Sequence, residues 1–63
     1  MVKIGESYIL KDNLRIGGKL YLAGLIFCLT STLDDVFVLT FLADKEVLIK
    51  ITGNTFKTFF KRF

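Results

Sequence analysis

NTFKTFFKRF, the sequence of residues 54–63, places four phenylalanines at helical spacing beside three cations. The phenylalanines are Phe56, Phe59, Phe60 and Phe63, and the cations are Lys57, Lys61 and Arg62. This spacing predicts a terminal helix over residues 54–63 with one apolar face and one basic face. Asn54 or Thr55 is the expected helix cap, and cations in the last turn suit the helix dipole. We expect the phenylalanine stripe to close a small β-structure or to contact a partner.

The chain before this helix is predicted to form short β-strands, because its apolar segments are rich in β-branched and aromatic residues. The expected strands cover residues 6–11, 19–22, 25–31, 36–42 and 47–52, with residues 14–16 also extended. Periodicity alone does not exclude a helix over residues 20–29, since nearly every position there is apolar. In the last strand, Val47, Ile49 and Ile51 are expected to face the core.

The turns are marked by glycines and acidic residues, because the sequence contains no proline. Turns are expected at Asp12-Asn13, Gly17-Gly18 and Asp34-Asp35, a bend at Ala23-Gly24, and a four-residue loop over residues 43–46. Five short strands in up-and-down order and a terminal helix predict a small antiparallel barrel. Residues 1–63 are accordingly expected to form a single small β-barrel domain, with strands over about residues 6–52.

This element order resembles that of the SH3-like small barrels. Particular segments also resemble small accessory proteins of bacterial viruses: Gly5-x-x-Tyr8-x-Leu10, the Ala23-Gly24 bend, the Asp34-Asp35 turn before residues 36–39, and Thr55-Phe56-x-x-Phe59-Phe60. Proteins of that group are often suspected of binding and disabling a host protein. The resemblance implies an inhibitor that occludes a host protein surface in the cytoplasm of the host cell. It assigns no functional residue to this chain.

The inventory of reactive side chains argues against an enzyme. The chain has 63 residues, no histidine and a single cysteine, Cys28, so one copy cannot form an internal disulfide or a cysteine/histidine metal site. Asp34 and Asp35 are adjacent, which suits a turn better than a converging acid and base pair. Gly17-Gly18-Lys19 lacks the spacing and the following Ser or Thr of a phosphate loop. We therefore expect no catalytic residue, metal or cofactor.

The apolar content indicates a contact surface. Apolar residues make up 52% of the chain, and a domain this small cannot bury them all. The longest segment without a charge, Leu20 to Leu33, is shorter than the roughly 18 to 20 residues of a membrane-spanning helix. The N-terminal residues lack the pattern of a signal peptide, and the single Cys28 fits a reducing cytoplasm. A protein partner or self-association is expected.

Positive charge is concentrated at the C-terminal end. The net charge is +3; residues 47–63 hold four cations and no acid, whereas residues 1–46 hold five cations and six acids. We expect a partner protein with an acidic surface, and the candidate contact residues are Tyr8, Tyr21, Lys50, Lys57, Lys61 and Arg62. Phe56, Phe59 and Phe60 are expected to support them, and Phe63 could do either. A nucleic-acid-binding barrel is the main alternative, and a helix lying on an anionic membrane surface is a further one.

Overall fold

A computed structural model describes residues 3–63 and shows a mainly β domain with one short helix. The elements in chain order are β1 (Ser7–Leu10), β2 (Leu14–Ile16), β3 (Lys19–Tyr21), β4 (Ile26–Leu33), β5 (Val36–Phe41), β6 (Asp44–Thr52), α1 (Gly53–Phe59) and β7 (Phe60–Arg62). The mainly β prediction with one short helix is therefore confirmed. The alternative of a helix over residues 20–29 is wrong, since β4 occupies its second half.

The strands form one antiparallel five-stranded sheet and one separate hairpin. The order in the large sheet is β6-β5-β4-β1-β7, and β2 pairs with β3. The predicted up-and-down order was wrong at the start of the chain, because β1 pairs with β4 and the β2–β3 hairpin lies between them in sequence. Within residues 3–63 no pairing joins β6 to β7, so the predicted closed barrel is not confirmed.

The large sheet must nevertheless curl strongly. Four strand spacings would separate β6 from β7 by roughly 19 Å in a flat sheet, whereas a seven-residue helix is only about 10 Å long. Because α1 connects these two outermost strands directly, the sheet bends to bring them closer. The described residues extend 24 Å along their longest principal axis.

Two of the hairpin turns, Gly17-Gly18 and Leu42-Ala43, each span two residues. Gly17 and Gly18 have φ angles of +56° and +80°, which is the two-residue turn that suits the twist of a β-hairpin and favours glycine at both positions. The predicted four-residue loop at residues 43–46 was wrong, because Phe41 pairs with Asp44 across a tight Leu42-Ala43 turn. Thr40 pairs with Leu48, so residues 45–47 are accommodated as a bulge in β6.

The end of the chain differs most from the prediction. The helix ends at Phe59, and Phe60–Arg62 continue as a strand that pairs with β1, with Leu10 opposite Phe60. The helix predicted over residues 54–63 was therefore wrong for its last four residues. The reason is that the free edge of β1 offers backbone partners for a strand, and alternation then keeps Phe60 buried while Phe63 is 73% exposed.

The start of the helix also differs from the expected cap. Thr52 is the N-cap, and its Oγ1 accepts a hydrogen bond from the Thr55 N–H at 3.2 Å, so Asn54 and Thr55 were wrong as caps. The Gly53 N–H donates to the Asp35 backbone oxygen at 3.0 Å and to Asp35 Oδ1 at 3.2 Å. A Cβ atom at position 53 would lie 2.8 Å from that carboxylate oxygen and 3.0 Å from the Phe37 ring. The close approach of the Asp34-Asp35 turn therefore requires glycine at the first helical position.

The core lies between the inner face of the curled sheet, the helix and the hairpin. Its buried residues are Tyr8, Leu10, Leu14, Phe27, Leu29, Leu39, Ile49, Ile51, Phe56 and Phe60. Alternation in β6 placed Ile49 and Ile51 correctly, whereas Val47, in the bulge, is half-buried. Phe56 stacks on Phe60 at a centroid distance of 5.5 Å, and Phe60 meets Phe27 edge-on at 5.7 Å. The tail is thus joined to the middle of the sheet through aromatic contacts.

Phe60→Leu is expected to lower the free energy of unfolding by about 1–3 kcal/mol, because it removes buried volume and the aromatic contacts with Phe27 and Phe56. Phe63→Leu is the matched control and should change it by less than about 0.5 kcal/mol, since Phe63 is exposed. Urea unfolding followed by circular dichroism measures both. Equal losses in the two variants would contradict the described end of the chain.

Thr52→Ala is expected to cost about 1 kcal/mol, because it removes the side-chain oxygen that accepts from the Thr55 N–H. Asn54→Ala, two residues further on, should cost much less, since its side chain makes no cap contact. Thermal unfolding of both variants decides between the two positions. A larger loss for Asn54→Ala would show that the helix begins later than Gly53.

Candidate functional site

Tyr8 is part of the core and not of the surface. Its side chain is only 4% exposed, its ring meets Phe56 edge-on at 4.9 Å, and its hydroxyl accepts a hydrogen bond from the Lys3 backbone N–H at 3.1 Å. The structure therefore places Tyr8 in the core, and its predicted contact with a partner stays a prediction that this position does not favour. Leu10, two residues along the same strand, is buried beside it, so strand alternation explains the position.

Three further candidate residues belong to three different elements. Tyr21 is half-buried on the β2–β3 hairpin, with its ring edge-on to Phe27 at 6.0 Å. Lys57 is exposed on the helix. Arg62 Nη2 lies 2.6 Å from Glu6 Oε2; the arginine side chain is largely exposed and the glutamate side chain is half-buried. The three residues thus belong to the hairpin, the helix and β7 respectively.

Lys50 and Lys61 lie on one common surface, the side of the large sheet that faces away from the core, which we call the outer face. In β6 and β7 the buried residues are Ile49, Ile51 and Phe60, so the intervening Lys50 and Lys61 point to the opposite side. Cross-strand register fixes their neighbours: Lys61 pairs with Ile9, which pairs with Ile26, and Lys50 pairs with Val38. The two lysines thus lie toward opposite edges of the face.

Apolar side chains occupy much of the outer face between the lysines. The residues placed there by register and alternation are Ile9, Ile26, Cys28, Val38, Thr40 and Leu48. Leu48 is 51% exposed, and the other five are half-buried by their neighbours in the sheet. Strands β4 and β5 therefore carry apolar side chains on both faces, a pattern typical of strands that are covered on both sides.

A shallow apolar groove adjoins the outer face at its Ile26 end. Its volume is about 280 Å³, and it is lined by Gly24, Leu25, Ile26, Phe41, Leu42 and Ala43. The Leu42 N–H donates to the Ile26 backbone oxygen at 3.0 Å, which continues the β4–β5 pairing into the tight turn. Leu42 is 50% exposed, so the groove extends the apolar surface beyond the last regular strand pair.

Sequence reasoning missed the apolar part of this surface. The signal was present in β5, Val36–Phe41, whose sequence VFVLTF carries apolar residues at both parities. Alternation assigns Phe37, Leu39 and Phe41 to the core side, where Leu39 is fully buried, and Val36 and Val38 to the other side. Apolar residues on the face of an antiparallel strand that points away from the core indicate a surface that another molecule can cover.

The side-chain chemistry of the described residues offers few reactive groups. Residues 3–63 contain no cluster of three or more potential metal-ligating side chains. Cys28 is a free thiol on the outer face and is half-buried. The part of the chain that the structure describes contains no helix with the length and apolar character needed to cross a bilayer.

Comparison with known proteins finds no match: no protein-family model, no curated protein and no solved structure matches this chain.

Tyr8→Leu is expected to lower the free energy of unfolding by about 1–3 kcal/mol, because the ring contact with Phe56 and the hydrogen bond from Lys3 are lost. Lys61→Ala should change it by less than about 0.5 kcal/mol, since Lys61 is an exposed side chain of the outer face. Chemical denaturation of the two variants tests this division between core and surface. A stable Tyr8→Leu variant would return Tyr8 to the candidate contact residues.

Proposed function

We propose that this chain is a non-enzymatic protein-binding module that covers a functional surface of a partner protein with its outer face. The observation that carries the proposal is the apolar character of β4 and β5 on both faces. One of these faces packs against the helix and the hairpin residues of the core. The other, with Ile26 and Leu48 and the adjoining groove, is available to a second molecule.

The charges at the edges of the outer face favour a partner with carboxylates around an apolar patch. Lys61 lies beside Ile9 toward the β7 edge, and Lys50 lies beside Val38 on the opposite, β6 side. A polar, charged rim around an apolar centre is the usual composition of a protein interface. The cations would speed association with an acidic surface and set its orientation, while the apolar side chains supply most of the affinity.

The same proposal includes an SH3-like small barrel as the fold and occlusion of a host protein, in the cytoplasm, as the biological role. Support for the fold comes from the curl of the five-stranded sheet, the hairpin between its first two paired strands, and the short helix before the last strand. Support for the role comes from the small size of the domain and from a contact surface that needs no catalytic group.

Nucleic-acid binding is less well supported, because the described aromatic residues are poorly placed for stacking on bases. Tyr8, Phe27, Phe56 and Phe60 are buried, and the other aromatic rings of residues 3–63, apart from Phe63, are at least half-covered. Single-stranded nucleic acids are held by exposed aromatic platforms within a basic groove. The outer face instead presents aliphatic side chains.

The test is affinity capture from a nuclease-treated lysate, with quantification by mass spectrometry. The test variant combines Lys61→Glu with Leu42→Ser, which alters the outer face and its groove. We expect the wild-type chain to enrich a protein, and the variant to lose at least about tenfold of that enrichment, because it removes a charge attraction and apolar contact area.

The matched control combines Lys57→Glu with Leu20→Ser, which makes the same chemical changes on the helix and the hairpin. Leu20 and Leu42 are 48% and 50% exposed, so the two variants perturb similar amounts of apolar surface. The control should capture the protein as well as the wild type does. Equal loss in both variants, or capture that disappears with nuclease treatment, would overturn the proposal.

A further inference from the structure

The outer edge of β6 carries backbone groups that no described strand pairs with. β6 is the last strand of the sheet order and spans nine residues, Asp44–Thr52. The Gly53 N–H donates to the Asp35 backbone oxygen, so position 53 directs its N–H toward the side of β5. Since this direction alternates along a strand, Ile51 and Ile49 also direct their N–H and C=O groups toward β5. Lys50 and Leu48 direct theirs away from it, toward the free edge.

The exposed side chains along the β6 edge of one copy complement those along the β6 edge of a second copy. Leu48 and Lys50 alternate along the regular part of β6, Glu46 lies two residues before Leu48 inside the bulge, and all three are exposed. When a second β6 lies antiparallel with Leu48 opposite Leu48, and residues 46–50 of both copies are extended, Glu46 of each copy comes opposite Lys50 of the other. This arrangement gives two ion pairs around one apolar contact. From this match we propose that two copies of the chain associate through their β6 edges, in that register.

Other registers that use the same free backbone groups are less favourable. Shifting the pairing so that Lys50 faces Lys50 brings two like charges together, and placing Lys50 opposite Leu48 leaves both lysines without an acidic partner. A shift in the other direction pairs Lys50 with Asp44 but sets Glu46 against Leu48. The register centred on Leu48 is the one that satisfies the charges and keeps the apolar side chains together.

One local hydrogen bond changes on pairing. In the single chain the Glu46 N–H donates to Asp44 Oδ1 at 3.1 Å, within the bulge of residues 45–47. In the paired edge that N–H donates to the Lys50 backbone oxygen of the second copy, while Asp44 returns to solvent. The exchange replaces a local hydrogen bond with a hydrogen bond between the two strands, so the Glu46 N–H keeps an acceptor.

Association of this kind joins the two sheets edge to edge about a two-fold axis. The axis passes through the Leu48 pair perpendicular to the sheet, so the outer faces of the two copies lie on the same side. The proposal does not depend on the function proposed above, because a β6 pair forms whether or not the outer face binds a partner. It also predicts that a partner of the outer face would find the outer faces of both copies side by side.

The test is sedimentation velocity of the purified full chain over a wide range of concentration, with exchange of the two charges. We expect a monomer–dimer equilibrium with a dissociation constant in the micromolar to millimolar range, because an edge pair buries less than a standard interface. Lys50→Glu and Glu46→Lys should each weaken it by about tenfold, since two attractive pairs become repulsive. The double variant, with both substitutions, should restore wild-type association.

A cross-linking experiment fixes the register. In a Cys28→Ser background, Leu48→Cys should form an intermolecular disulfide on mild oxidation, because opposed residues of antiparallel strands have Cα atoms about 5.5 Å apart. Leu20→Cys in the same background is the control; its position is similarly exposed but lies on the β2–β3 hairpin, and it should cross-link far more slowly. A monomeric wild-type chain at every concentration overturns the proposal, as does a dimer that ignores the charge exchange or cross-links equally at both positions.

Discussion

The stacking of Phe56 on Phe60 is the contact on which the rest of the structure depends. Phe56 belongs to the helix and Phe60 to the strand after it, and their ring planes are 15° apart. Phe56 also stacks on Phe37 of β5, and Phe60 meets Phe27 of β4 edge-on. These four rings join the end of the chain to the centre of the sheet. Without them, the helix and the last strand would lose their aromatic contacts with the inner face of the sheet.

The same rings explain how the backbone is arranged around them. Because α1 directly connects the two outermost strands of the sheet, its seven residues must bridge a distance that only a curled sheet allows. Gly53 lets the helix begin against the Asp35 turn, and the Lys11 N–H donates to the Phe59 backbone oxygen at 2.7 Å where the helix ends. Backbone hydrogen bonds therefore fix both ends of the helix, while the aromatic rings fix its inner side.

Much of the strand content could be predicted from sequence, because it depends on local pattern. Ile49 and Ile51 follow from alternation, and the Gly17-Gly18 turn follows from the φ angles that glycine adopts easily. The helix length could not be predicted in the same way. Helical spacing and strand alternation both bury Phe60, and only the free edge of β1, a tertiary feature, decides in favour of the strand.

The candidate site illustrates the same limit. Charge and aromatic content led to Tyr8 and to lysines scattered over several elements, but whether a side chain faces solvent depends on which strands become neighbours. Tyr8 is buried because it lies on the face of β1 that packs against Phe56, and Lys50 and Lys61 share a face because both strands alternate about the same core. The local apolar pattern of β5 was the better indicator, since it needs no knowledge of the neighbours.

A chain of this size has one core, and its strands cannot use both apolar faces within a single copy. Within residues 3–63 the helix and the hairpin cover the inner face, and no described element covers the outer one. Hydrophobic side chains left on a sheet face increase the risk of aggregation unless a partner covers them. Retaining Ile26, Val38 and Leu48 there is therefore costly for an isolated domain, and the proposed contact with another molecule would offset that cost.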